Sequence, residues 1–367
     1  MDAVPYASVP QDQWDKLVIN SPDGWPFALS SWRRLILAVE EWQLQDHSFA
    51  VFDGSQMLAV VPMQLDRRSG VLGITGWSGC GPIIAHDVSG KRRDVVRADI
   101  VEMIDEAAAR LGANAIRFSI PPVTVSAIEN GRGVNPFAFC GLEDCSGVAQ
   151  VIDLSPDEGV LWRGLSETAR QTVRKAEKSG ITVVQASWPD MLDCYYRVHQ
   201  ETYRRTGVTP HPRSYFHGIA HEMANAGHSV LWAALDQKGA AIAFHNDMQF
   251  GIGAWYHTGC STEAALAFGA NYLLFWKSML GAKTAGRRWY DCGEIFPPSA
   301  DKKRNGLTLF KTRFGGAPHR YLKAAKEYRP LGEVSAPAPV AHVGPRTLLA
   351  GCMNRLRKLA RSVRAAA

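Results

Sequence analysis

The chain has 367 residues, of which 46% are hydrophobic, 10% aromatic and 21% charged. That is enough apolar material for a sizeable core and about two domains, and it excludes bulk disorder. The net charge of +6 is uneven: residues 1–150 carry 12 Lys/Arg against 18 Asp/Glu, and residues 151–367 carry 29 against 17. The basic second half suits a phosphate-bearing or polyanionic ligand, and equally a solvated basic surface.

In chain order, Met1 to Trp14 lacks a basic region followed by an apolar run, so no signal peptide is expected. Phe49–Phe52, the turn Asp53–Gln56 and Met57–Met63 read as a β-hairpin. A third strand is expected near Val71–Trp77. Val95, Val96, Ile100, Ile104, Ala108 and Leu111 then fall on one face of a helix that stops at Gly112. A short strand, Ala115–Ile120, follows. Pro136 to Gly147 reads as loop, and the boundary between halves is placed near Gln150–Asp153.

The second half repeats this order. After helices expected over Ser166–Ser179, Trp188–Arg205 and Pro212–Ala226, Val230–Leu235, the turn Asp236–Gly239 and Ala240–Phe244 form a second hairpin. A strand over Gly251–Thr258, a helix carrying Tyr272, Leu273, Trp276, Met279 and Leu280, and a strand over Arg288–Cys292 complete the copy. The stretch Ala264–Trp276 reads as a core helix and is too short and too polar to span a membrane. Hairpin, strand, helix, strand in both halves implies a mixed α/β sheet in each. Units are expected at residues 1–150 and 151–332, with 333–367 a Pro/Ala/Val-rich linker and a basic tail. That tail, from Arg346 to Arg364, has the composition of an amphipathic helix for a membrane surface or RNA, or of a solvated terminus.

Seven cysteines, at 80, 140, 145, 194, 260, 292 and 352, include no Cys-x-x-Cys pair. A reducing, cytoplasmic setting without disulfides or structural zinc is expected. Gly76–Cys80 fails the nucleophile-elbow pattern, and His217 with His221 lacks the His-Glu-x-x-His context of a metal helix. No Walker-type or dinucleotide-binding loop is present.

Four segments carry candidate chemistry. Arg170, Arg174 and Lys178 share a helix face that suits phosphates, or simply solvent. Gly269-Ala270 opens a helix whose backbone amides can bind phosphate, or serves close packing. Asp291 and Glu294, at the end of a strand, are candidate proton acceptors, or capping and ion-pairing carboxylates. Lys311, between Phe310 and a Gly-Gly turn, can stabilise oxyanion charge.

Together, Thr168–Gly180, Ala254-Trp-Tyr256 with Asn271–Leu274, Tyr290–Gly293 and Leu309-Phe-Lys-Thr-Arg-Phe-Gly-Gly316 resemble the FemAB-like family and its BioF2-like acetyltransferase relatives. The resemblance implies an α/β fold of two tandem acetyltransferase-like (GNAT) mixed-sheet domains. It implies transfer of an acyl or aminoacyl group to an amine of a cell-envelope precursor, such as one of peptidoglycan. Acyl-CoA or aminoacyl-tRNA would be the donor substrate, with no tightly bound cofactor and no metal. Phe310 and Lys311 would lie at the donor end and Tyr256 in the acceptor cleft. An acyl-CoA N-acyltransferase acting on a sugar, lipid or polysaccharide precursor is one alternative. A non-catalytic module binding an envelope precursor or RNA is another. The protein would be cytoplasmic, or peripheral to the membrane through its tail.

Overall fold

A computed structural model describes residues 1–73, 81–130 and 134–328. The basic tail, the continuation of the third strand beyond Gly73 and Gly76–Cys80 lie outside the described residues. The first half contains strand β1 (Asp2–Pro5), helices α1 (Gln11–Asn20) and α2 (Ser30–Leu37), strand β2 (Leu44–Asp46) and the hairpin β3 (Phe49–Asp53) and β4 (Gln56–Val61). Strands β5 (Gln64–Asp66), β6 (Val71–Gly73) and β7 (Ile83–Ile84), helix α3 (Gly90–Leu111), β8 (Ala115–Ile120), α4 (Val125–Glu129) and β9 (Glu143–Asp144) follow.

The second half begins with β10 (Gly147–Asp153), α5 (Glu158–Gly164), α6 (Glu167–Lys178), β11 (Thr182–Ala186) and α7 (Trp188–Thr206). Helix α8 (Arg213–Gly218) runs into a π-helical turn, Ile219–Ala224. Strands β12 (Ser229–Leu235), β13 (Ala241–Phe250) and β14 (Gly253–Ser261) precede α9 (Glu263–Phe268) and α10 (Ala270–Thr284). Strand β15 (Trp289–Ile295), α11 (Lys302–Thr312) and β16 (Ala317–Glu327) close the described chain.

Both hairpins form as the sequence predicts, and the repeat extends to the pairing. In each half the third strand of the repeat pairs parallel with the strand after the helix over three residues, Val71–Gly73 with Ala115–Arg117 and Gly253–Trp255 with Trp289–Asp291. The local signals also hold. Ser166 Oγ accepts from the Ala169 amide and starts α6, and Gly112 ends α3 in the left-handed region.

The mixed α/β class is as expected, but the sheets are not one per half. The hairpin β3–β4 belongs to a four-stranded sheet, β1-β3-β4-β7. The large sheet runs β11-β12-β13-β14-β15-β10-β16-β8-β6-β5-β2, with β9 on β16. The run Met57–Met63 read as one strand, yet Pro62 falls between β4 and β5, where it withholds a ladder donor and lets the chain pass to the other sheet. Strand β16 joins the halves. Its residues 317–321 pair with β10 and 322–327 with β8. The expected boundary at 150/151 runs through β10.

Apolar residues on the two faces of the second-half sheet sort into separate cores. On one face Tyr195 and Val198 of α7 meet Leu231, Ala233 and Phe244, joined by Trp14, Trp25 and Trp32 from the first half. On the other, Leu273, Leu274, Phe275 and Trp276 of α10 meet Ala234, Ala243, Ala254 and Tyr290. Helix α10 is buried on several sides because it lies between the sheet and α6. The core helix expected over Ala264–Trp276 is two helices, broken at Gly269. There φ is +76°, and a Cβ would sit 2.4 Å from the Thr172 side chain.

Candidate active site

Strands β14 and β15 part after Trp255 and Asp291. Strand β14 then continues to Ser261 beside β13, and β15 to Ile295 beside β10. A wedge opens at the carboxyl ends of two parallel strands, where α/β sheets place their ligands. A β-bulge helps to open it. Asn246 pairs with Thr258 but Asp247 with Tyr256, so His257 is extra on β14.

The wedge holds a pocket of about 260 Å³ lined from both faces of the sheet. Thr202 and Arg205 of α7 contribute from one side, and Asn271, Leu274 and Phe275 of α10 with Leu307, Phe310 and Lys311 of α11 from the other. His245, Tyr256 and Gly259 come from the strands themselves. Phe275 forms the floor, its ring 5.4 Å from Tyr256, 5.6 Å from Phe310 and 4.2 Å from Phe314 between centroids. Tyr256 lies across Gly259, where a Cβ would come within 2.3 Å of its hydroxyl.

Lys311 donates through Nζ to the Glu294 carbonyl at 2.6 Å. Burial lowers its pKa, while the charges of Asp291 and Glu294 and the Cys292 thiol hold it up. Asp291 is only 3% exposed. Burial raises its pKa to about 7, against the Gly293 amide, which donates to Oδ1 at 2.7 Å, and the Lys311 charge. Burial likewise pushes the Tyr256 phenol well up, so it stays a hydroxyl donor.

Of the residues singled out from the sequence, Tyr256, Phe310 and Lys311 meet in the pocket, with Asp291 beneath Lys311. Glu294 instead turns its carboxylate to Lys323, with both oxygens 2.9 Å from Nζ. Arg170 caps α5, donating to the carbonyls of Arg163 (3.0 Å) and Leu165 and to Glu167 (2.7 Å). Arg174 lies over the Trp162 ring at 5.4 Å. Gly269 packs on Thr172, and Ala270 is fully buried. None of these five lines the pocket.

Sequence reasoning missed His245 and Asp247. The signal was available, a His-x-Asp pair on one face of a strand. Asn271, part of a motif quoted from the sequence, donates to Ser261 Oγ at 3.3 Å. Arg205 reaches the Ser261 carbonyl at 2.9 Å. Among the described residues no His, Cys, Asp and Glu cluster could hold a metal, and no helix is long and apolar enough to cross a membrane.

Residues 163–303 match the acetyltransferase (GNAT) domain family. No curated protein matches the chain. Among solved structures the chain is similar to FemX, at 15% identity and TM-score 0.65 over 89% of this chain and 97% of that one. It is similar to L-PGS from Bacillus licheniformis, at 15% identity and TM-score 0.53 over 82% and 93%. It also resembles a tandem GNAT protein from the clavulanic acid biosynthesis pathway, at 12% identity and TM-score 0.53 over 90% and 99%. The fold is thus that of the tandem GNAT proteins, with a GNAT acetyltransferase domain in the second half. Within that class the fold is similar to that of FemX, and the matched GNAT domain is one of acyltransferase type.

Proposed function

We propose that the chain moves an acyl group from a coenzyme A-type thioester to an amine of a cell-envelope precursor. The observation that carries the choice of donor is the wall of the wedge pocket. Phe244, Leu266, Leu274, Phe275, Leu307 and Phe310 make it apolar, and its formally charged side chains are the cations Arg205 and Lys311. No Asp or Glu is among its described lining residues. Such a wall accepts an uncharged acyl group. It opposes the α-ammonium of an aminoacyl ester, which would be desolvated beside like charge.

In this reading residues 151–332 are the transfer unit and residues 1–150 its partner unit. From Tyr256 onward the β15-facing edge of β14 has no strand partner among the described residues, and an extended donor arm carrying amides can pair with it. Lys311 supports the negative charge that develops on the carbonyl oxygen. Tyr256 donates a hydrogen bond at the same centre. The thioester supplies the driving force, and the protein chiefly positions the reactants. Asp291 adjusts the charge of Lys311 from below. The acceptor class follows from the FemAB-like resemblance.

A second reading, with aminoacyl-tRNA as donor, is favoured by the excess of Lys and Arg in residues 151–367. Calorimetric titration separates the two. Saturable binding of acetyl-CoA, weakened in Phe310→Ala, is expected. Binding of charged but not uncharged tRNA that survives raised salt, with no acetyl-CoA binding, would overturn the acyl-CoA reading.

A further inference from the structure

A polar network lies behind the pocket, and the electrostatic and hydrogen-bonding roles described above leave it unused. His245 of β13 points its Nε2 at Asp247 Oδ1 (2.8 Å), Tyr290 Oη (2.8 Å) and Ser278 Oγ (3.1 Å). Tyr290 donates to the same Asp247 oxygen at 2.5 Å, and Ser278 Oγ is 2.8 Å from Tyr290 Oη. All four side chains are buried, Asp247, Tyr290 and Ser278 completely and His245 to 3% exposure. They come from β13, α10 and β15, so the sheet order and the helix above it bring them together.

The geometry points to one tautomer. A carboxylate oxygen only accepts, so a ring nitrogen 2.8 Å from it carries the proton. In the neutral ring Nδ1 is then the unprotonated nitrogen. Nδ1 makes no hydrogen bond among the described residues, and the ring forms part of the pocket wall, 4.4 Å from the Tyr256 ring. A carboxylate that orients an imidazole through one nitrogen leaves the other as a base and stabilises the imidazolium that forms.

We propose that His245 is the general base of the acyl transfer, acting through Nδ1, with Asp247, Tyr290 and Ser278 as positioning residues. This rests on the acyl-transfer reading and adds a residue to it. The acceptor amine attacks the thioester carbonyl, the new C–N bond forms and the C–S bond breaks. The amine proton passes to Nδ1 and then to the departing thiolate, returning the imidazole to its neutral form. Among the described residues, the titratable and charged groups around this ring are Asp247 on its own strand, Tyr256 of β14 and Tyr290 of β15, with Cys260 of β14, Lys311 of α11 and Arg205 of α7 sharing the pocket wall.

The test uses the full chain in two arms. Nitrogen NMR of histidine-labelled protein, with His245 assigned by its loss in His245→Gln, reads the tautomer without substrate. The neutral ring is expected to carry its proton on Nε2, and Asp247→Asn is expected to shift that proton towards Nδ1. A proton on Nδ1 in the wild type, or no response to Asp247→Asn, overturns the proposal. In the second arm, thiol release from acetyl-CoA with glucosamine as the amine probe is followed across pH. His245→Gln is expected to lower kcat by about 10²–10⁴ and to remove the acid limb, with KM for acetyl-CoA little changed. An unaltered pH profile in His245→Gln overturns the base role. Asp247→Asn provides the kinetic comparison should His245→Gln fail to fold. Absence of wild-type turnover in a chain that binds acetyl-CoA rejects glucosamine as the acceptor rather than the donor, and the base is then judged by the NMR arm.

Discussion

Lys311 gives its ammonium to the main-chain carbonyl of Glu294, at 2.6 Å, rather than to a carboxylate. The hydrogen bond fixes the cation at the edge of the wedge without neutralising it. Asp291, three residues earlier on the same strand, lies in a setting that disfavours its charge. A cation so held supports a developing oxyanion better than one locked in an ion pair. Lys311→Ala is therefore expected to reduce kcat by about 10²–10³, read from steady-state thiol release with acetyl-CoA. A change confined to KM would mean that Lys311 only binds donor.

Asp291 sets a pH dependence of stability with a definite sign. Its ordinary pKa is 3.8, and in the folded chain it is raised to about 7. Between these values the folded state binds more proton than the unfolded state, so this group's contribution falls as pH rises from about 4 to about 7. Asp291→Asn removes that loss. Its melting temperature should exceed that of the wild type at pH 8 by more than at pH 5, in paired thermal unfolding at the two values.

Phe275 supports both the core and the pocket floor. It is 1% exposed and stacks on Phe314. Phe275→Ala should cost about 3–5 kcal/mol, measured by denaturant unfolding. Phe310, half-buried at the pocket wall, should cost less on the same change.

Gly259 leaves room for Tyr256. Gly259→Ala would place a methyl group against the phenol and turn it from its present position. KM for the acyl donor is expected to rise roughly tenfold with kcat less affected, the signature of lost ground-state binding. An unchanged KM would show that Tyr256 does not border the donor.

Arg170 separates structure from ligand binding. It caps α5 through two carbonyls and pairs with Glu167 across an open surface. Arg170→Ala should cost about 1 kcal/mol and leave KM for acetyl-CoA unchanged in the same kinetic assay. A raised KM would return this helix face to phosphate binding.

The sequence by itself determined the local pieces. Ser166 starts α6, Asp53-Gly and Asp236–Gly239 turn the hairpins, and Gly112 stops α3, because capping and turn chemistry act within a few residues. The Phe310-Lys311 segment and Tyr256 stood out because their residue types sit at fixed spacing within the motifs. Glu294 and Arg170 looked the same as functional residues from the chain alone, since a carboxylate or guanidinium declares its charge but not its partner. The tertiary structure assigned those partners, Lys323 and the end of α5. It also decided where β14 leaves β15, how Pro62 divides the first half between two sheets, and how His245 and Asp247 meet Tyr290 and Ser278. These depend on strand order and register between segments far apart in the chain, which side-chain periodicity along one strand does not encode.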